Sequence, residues 1–334
     1  MLSRTSSRAL GLLAGALALL AAFMTSVMLG TTPIALSALP RALLHHDPAR
    51  VDQIILLTER IPRACVAALV GASLAVAGAL MQTVTRNPLA SPGILGINAG
   101  AMFFVVVAVS LLPLSTPGQI VWAALLGALS AAGLVVALAR GRQGEFSPLR
   151  VVLAGVAVTA LFVSFSQGLL VIDQQSFESV LYWLAGSVSG RELHRVAPLL
   201  PLFLVGFALS ALLAGRANAL LLGDDLVTGL GMSATTTKLL LGAAVIVLAG
   251  SSVALAGMIG FVGLIVPHMA RGLFGIDHRW LLPACALLGG ALLLLADVAA
   301  RFVMPPQEVP VGVMTALVGT PFFIYLARRR LAAQ

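Results

Sequence analysis

Residues 215–238 read GRANALLLGDDLVTGLGMSATTTK and lie between two long apolar runs. The stretch holds Asp224 and Asp225, two of the twelve acidic residues, and Lys238, the only lysine. A segment this polar belongs in water, yet its leucines keep the spacing of a short amphipathic helix. Everything around it has the opposite character. Of 334 residues, 60% are hydrophobic and 10% charged, with a mean hydropathy of +1.05, which excludes a soluble globule. A hydrocarbon core of about 30 Å takes about 20 apolar residues per helix, and such runs recur along the chain. The expected fold class is therefore an all-α polytopic membrane protein. A short helix in water between two spans is most simply a handle for a partner protein, and an ordinary solvated loop is the plain alternative.

Working outward from this island, runs of crossing length fall near residues 9–29, 64–84, 94–112, 120–139, 151–172, 197–214, 239–255, 259–273, 281–299 and 310–326, about ten transmembrane helices. The eighth is short and carries Gly260, Gly263, Pro267 and His268. Charge placement retains it. Arg4 and Arg8 precede the first run and Arg328, Arg329 and Arg330 follow the last, so the positive-inside rule wants both termini cytoplasmic and an even count. The island then faces the cytoplasm, as an insertion in a single membrane domain covering 1–334. The net charge of +8 fits membrane orientation, because the basic residues are dispersed at the ends of apolar runs, and no nucleic-acid partner is expected. The N-terminal apolar run is about twice the length of a signal-peptide core, which favours a retained first span.

Two outer connections are long, 30–63 and 173–196; the second contains SFESVLYWLAG, whose Tyr182 and Trp183 suit an interfacial half-helix. Gly11 with Gly15 and Gly96 with Gly100 have the four-residue spacing of close helix packing in lipid. GASLAVAGAL (71–80) echoes GSSVALAGMI (250–259), and in a ten-span arrangement the two run in opposite directions, as in an inverted repeat.

The chain carries no energy source of its own. A phosphate-binding loop needs Gly-rich backbone before Lys-Ser/Thr, but Lys238 follows SATTT and precedes leucine. Neither HExxH nor GxSxG occurs, so no enzyme activity is expected. Cys65 and Cys285 stand alone in apolar runs, and neither a disulfide, a metal site nor a cofactor is expected. Asp297 is the one acid well inside a run, with Arg301 four residues on as its ion-pair partner; His268 is the other titratable candidate, and with Pro267 it reads as packing or a kink. RNPLASPGILG (86–96) reads as a cytoplasmic turn. Energy must come from a partner.

RIPRACVAALVGASLAVAGALMQTVTRNPLASPGILGINAGA (60–101), LLLGDDLVTGLGM, VALAGMIGFVGLIVPHMAR (253–271), DHRWLLPACALLGGALLLLADVAAR (277–301) and EVPVGVMTALVGTPFFIYLARR (308–329) together resemble the permeases of iron-siderophore and cobalamin ABC importers, the FecCD family. The resemblance implies a ten-span permease that works as a pair with a second copy or paralogue, on two cytoplasmic ABC ATPase subunits, fed by an extracytoplasmic substrate-binding protein at the bacterial inner membrane. By motif position it implies ATPase coupling through Leu222, Gly223, Asp224, Asp225, Leu230 and Gly231. It implies docking of the binding protein on Arg60, Arg63 and Arg301, with Asp297 orienting Arg301, so that Asp297→Asn weakens docking while leaving the permease inserted. The expected cargo is an iron chelate, a ferric siderophore. Cobalamin or haem on the same machine is the alternative within the family, and an ion-coupled secondary transporter is the rival of another class.

Overall fold

The computed structural model describes residues 5–30, 50–112, 114, 116–140, 147–190, 196–305 and 307–331; among them no β-strand forms. The central element is α2 (Val51–Thr85), 35 residues long. From Ile61 onward it is apolar on every face and almost wholly buried, as a helix without a polar stripe must be. Its first turn, Val51–Ile55, is α-helical and passes into a π turn, Leu56–Arg60, just before Pro62, which has no N–H to continue the regular ladder. The second span therefore begins inside the stretch read from sequence as an outer connection.

Around α2 stand α1 (Thr5–Met28), α3 (Ile97–Ser110), α4 (Pro117–Ala139), α5 (Pro148–Ile172), the short α6 (Gln174–Leu184), α7 (Leu200–Leu212), α8 (Ala214–Leu221), α9 (Asp224–Gly229), α10 (Ala234–Ala256), α11 (Val262–Phe274), α12 (His278–Ala300) and α13 (Val311–Leu331). Local chemistry sets several starts. Thr116 and Gln119 form a capping box ahead of Pro117 on α4, Ser233 accepts from the Thr236 amide on α10, and Asp277 accepts from the Arg279 amide on α12, each satisfying donors that the first turn leaves open. Among the described residues, six helices are long and apolar enough to cross a bilayer, α7 with α8 makes a seventh across a 50° bend, and α3, α11 and residues 311–325 are shorter apolar helices. Each run expected from sequence falls on one of these.

Two of the short helices, α3 and α11, meet at one loop. Pro92 touches Gly263, and a side chain on Gly263 would meet the carbonyl of Leu74. Pro92 thus lies level with Leu74–Gly78, about 10–16 Å before the end of α2 at 1.5 Å per residue. Residues 86–96 are not a surface turn: they climb back into the helix bundle, where Ala90, Pro92 and Leu95 are buried, so α3 needs fewer residues to reach the far side. The break between α10 and α11 meets the same loop from the other side, with Phe261 in the left-handed region at φ +65°. The echo between 71–80 and 250–259 is helical in both copies only as far as Ala77 and Ala256, because Gly257 turns off at φ +73° against the Trp183 carbonyl.

Backbones meet where side chains are absent. A Cβ on Gly71 would stand 2.3 Å from the Gly289 carbonyl oxygen, and one on Gly78 1.9 Å from that of Gly263, so α12 and α11 press directly on α2. Gly100 meets Gly127 in the same way, whereas Gly96, expected to pack with it, instead caps α3 at φ +71°, and Gly15 makes only ordinary contact with Leu287. Leu10, Leu13, Leu17 and Leu20 form an exposed apolar stripe on α1, as do Leu126, Leu134 and Leu138 on α4, surface that suits hydrocarbon.

Candidate docking and coupling sites

Two polar clusters stand near the two ends of the buried part of α2, Ile61–Thr85. Arg63 belongs to one and Thr83 to the other, and 20 helical residues at 1.5 Å separate them by about 30 Å, the thickness of a hydrocarbon core.

At the end where α2 stops, Arg86 takes the left-handed conformation at φ +51°. Its Nη2 donates to the Leu220 carbonyl at 3.2 Å and to Asp224 Oδ1 at 2.6 Å. Asp224 Oδ2 accepts from Lys238 Nζ at 2.7 Å. One carboxylate therefore joins α9 to the end of α2 and the first turns of α10. Burial favours its neutral form, but the hydrogen bond and charge of Lys238, then those of Arg86, outweigh it and hold the Asp224 carboxyl below the usual carboxylate range. Gly223 at φ +119° makes the turn into α9 and Gly231 at φ +77° the turn out, conformations that a Cβ disfavours. Val227 is fully buried beneath the helix, while Leu222, Leu226 and Leu230 are 62%, 58% and 63% exposed. Leu226 lies on α9, and Leu222 and Leu230 flank it just outside its two ends, beside exposed Asp225. The island so presents an exposed apolar patch, and its acid at 224, 43% exposed, turns its oxygens to Arg86 and Lys238.

The same end has a network absent from the sequence reading. Asn218 Oδ1 accepts from the His278 amide at 2.8 Å, its Nδ2 donates to Asp277 Oδ1 at 2.6 Å, and His278 Nδ1 and Nε2 lie 2.8 Å from Asn218 Oδ1 and 2.7 Å from Thr83 Oγ1. An amide oxygen only accepts, so Nδ1 carries a ring proton, and in the neutral ring Nε2 competes with the Ala79 carbonyl, 3.0 Å away, for the single Thr83 hydroxyl proton. Arg271 donates to Gln82 beside it. The island is thereby keyed to both α2 and α12. Asn218 lies within the quoted stretch, but nothing in its spacing points to a histidine 60 positions on.

At the other end Arg60, Arg63 and Arg301 come together, and all three are buried. Arg60 Nη1 donates to the carbonyls of Val27 and Met28, and Arg301 Nη1 to those of Ser26 and Leu29 at 2.8 and 2.7 Å. They satisfy the carbonyls that the last turn of α1 leaves open and place positive charge at its negative pole. Asp297, 1% exposed, accepts from Arg63 Nε and Nη2 and from Arg301 Nη2 at 2.5 Å. The expected pair with Arg301 is present, and Arg63 completes a triad that the sequence reading lacked. Arg63 Nη1 donates to Glu308 Oε2 at 2.7 Å and to Ser189 Oγ at 3.3 Å. A cavity of ≈ 130 Å³ opens over the cluster, bounded by the three arginines, Glu59 and Glu308. Elsewhere, His268 packs edge-on against Phe322. Among the described residues no group of three His, Cys, Asp or Glu could hold a metal ion.

The model of the FecCD transport family matches residues 18–329. The chain designated probable siderophore transport system permease protein YfiZ of Bacillus subtilis (strain 168) is 47% identical over 279 residues, 83% of this chain and 84% of that one. The cobalamin import system permease protein BtuC of Halobacterium salinarum is 43% identical over 278 residues, 83% of this chain and 74% of that one. A solved chain of a metal-chelate type ABC transporter, in an inward-facing conformation, superimposes with a TM-score of 0.84 at 28% identity, over 95% of this chain and 98% of that one. The matched region takes in both polar clusters and all the apolar helices, in whole or in part, and on that extent the chain belongs to the FecCD transport family.

Proposed function

We propose that this chain is the membrane permease subunit of an ATP-driven importer that carries a ferric siderophore into the cytoplasm across a bacterial inner membrane. Two separate cytoplasmic ATPase subunits hydrolyse the ATP, a second copy or a paralogue completes the pathway, and an extracytoplasmic binding protein delivers the chelate at the arginine end. Both termini face the cytoplasm, and 1–334 forms one membrane domain with the coupling insertion near 215–238. The observation that carries this reading is the exposed apolar patch of Leu222, Leu226 and Leu230, on and beside a short helix pinned at Asp224. A rigidly held apolar face in water, at the foot of the central helix, suits a partner that must push. A secondary transporter needs an ionisable group free to change partners within a span, and Asp297 is bound by two arginines. Cobalamin is the second cargo reading, favoured by the 43% identity to a cobalamin permease.

Uptake of labelled iron from a panel of ferric siderophores, with labelled cobalamin beside them, tests this in cells with and without the gene. Deletion is expected to abolish uptake of one ferric chelate, and vanadate to block it, while collapse of the ion gradients at maintained ATP leaves it intact. Loss of cobalamin uptake alone replaces the cargo. Loss on collapse of the gradients, with insensitivity to vanadate, defeats the ABC reading.

A further inference from the structure

The arginine cluster poses a physical problem for any partner that docks there. Its guanidinium groups are buried, and nearly all their assigned bonds go to parts of the fold that cannot leave. Arg60 Nη1 and Arg301 Nη1 hold main-chain carbonyls at the end of α1. Arg63 Nε and Nη2 and Arg301 Nη2 hold Asp297, on buried α12. Arg63 Nη1 is different: both its partners are side chains from connecting segments, Ser189 and Glu308. The Glu308 side chain is 33% exposed and borders the ≈ 130 Å³ cavity. Its neighbour Val309 donates from its amide to the Ala300 carbonyl at 3.2 Å, which anchors the main chain beside it, and the partly exposed side chain has open space on the cavity side.

We infer that Glu308 is an internal stand-in for a carboxylate of the binding protein: it holds Arg63 Nη1 before docking, and docking replaces it with an acidic side chain of the partner. The inference rests on the docking proposed above. Space allows the exchange, since a single water needs only about 10–15 Å³ of such volume and a carboxylate with its waters fits in the cavity. Charge favours it too. Swapping one carboxylate for another keeps a counter-charge on Arg63 throughout, and its buried donor is never left empty, which would be costly. Glu308 then competes with the partner and sets the affinity of docking.

The test uses the assembled permease–ATPase complex in lipid nanodiscs and, as probe, the purified binding protein whose deletion in the source organism abolishes uptake of the same chelate. Glu308→Gln keeps shape and hydrogen bonding but removes the competing charge. It is expected to tighten docking about two- to fivefold, the worth of a partly exposed ion pair. Glu308→Asp keeps the charge but reaches less far, so its affinity should fall between, and it carries the test if the glutamine variant folds poorly. A glutamate of purely structural importance would weaken docking or leave it unchanged when neutralised. Docking by the unaltered complex together with unchanged or weaker binding by both variants overturns the exchange and leaves the docking site standing. No association with the unaltered complex defeats the docking reading and the exchange with it.

Discussion

Asp297 stands where a single atom change has the largest expected effect. It is 1% exposed and neutralises two buried arginines. Asp297→Asn leaves Arg301 without a carboxylate and Arg63 with Glu308 alone, and breaking such a buried pair costs about 3–5 kcal/mol. The variant should therefore accumulate poorly in the membrane and lose its cooperative melt in detergent, a stronger effect than the loss of docking alone expected from the sequence. Normal yield and melting would show that the α1 carbonyls and Glu308 suffice to hold the arginines. From the sequence Arg301 was legible as a partner because four residues are one helical turn, while Arg63, 234 positions away, leaves no local trace. Asp224 illustrates the same limit. Its place in a polar turn was legible, but the inward grip of Arg86 and Lys238 depends on where α2 and α10 end.

Apart from α2, which starts at Val51 inside the stretch read as an outer connection, the apolar helices were legible to within a few residues, because a run of about 20 apolar residues is a local property. The re-entrant path of 86–96 was not. Proline and glycine read as a turn wherever they occur, and the depth of this loop is set by distant notches: a Cβ on Gly155 would lie 1.8 Å from the Ile94 carbonyl oxygen, and Gly263 receives Pro92. Two glycines on buried faces and open faces should accordingly behave in opposite ways. Gly78→Ala drives a methyl into the Gly263 backbone, and overpacking of this kind costs about 1–3 kcal/mol. Gly242 in α10 has nothing within 4 Å of its added Cβ, and alanine there gains up to about 1 kcal/mol of helix propensity. Melting in detergent should fall for Gly78→Ala and hold or rise for Gly242→Ala; equal melting temperatures would mean that α11 yields freely against α2.

At the scale of the molecule, composition alone decided the class, since a chain this apolar has no other solvent than lipid. What composition left open is the layout of polar chemistry: an arginine triad and a pinned island about 30 Å apart along one buried helix. Force applied at the island has a stiff path to the far cluster, because α2 packs backbone to backbone against α11 and α12. The claim on which all of this depends is that Leu222, Leu226 and Leu230 are the seat of the ATPase. It is tested most directly by measuring how much ATPase subunit co-purifies with the permease when Leu226 and Leu230 are both changed to aspartate. These side chains are exposed, so insertion and yield should be unaffected, and retained ATPase should fall at least about tenfold, as a loss of 1.4 kcal/mol or more requires. Undiminished ATPase on a normally inserted double variant would contradict the account.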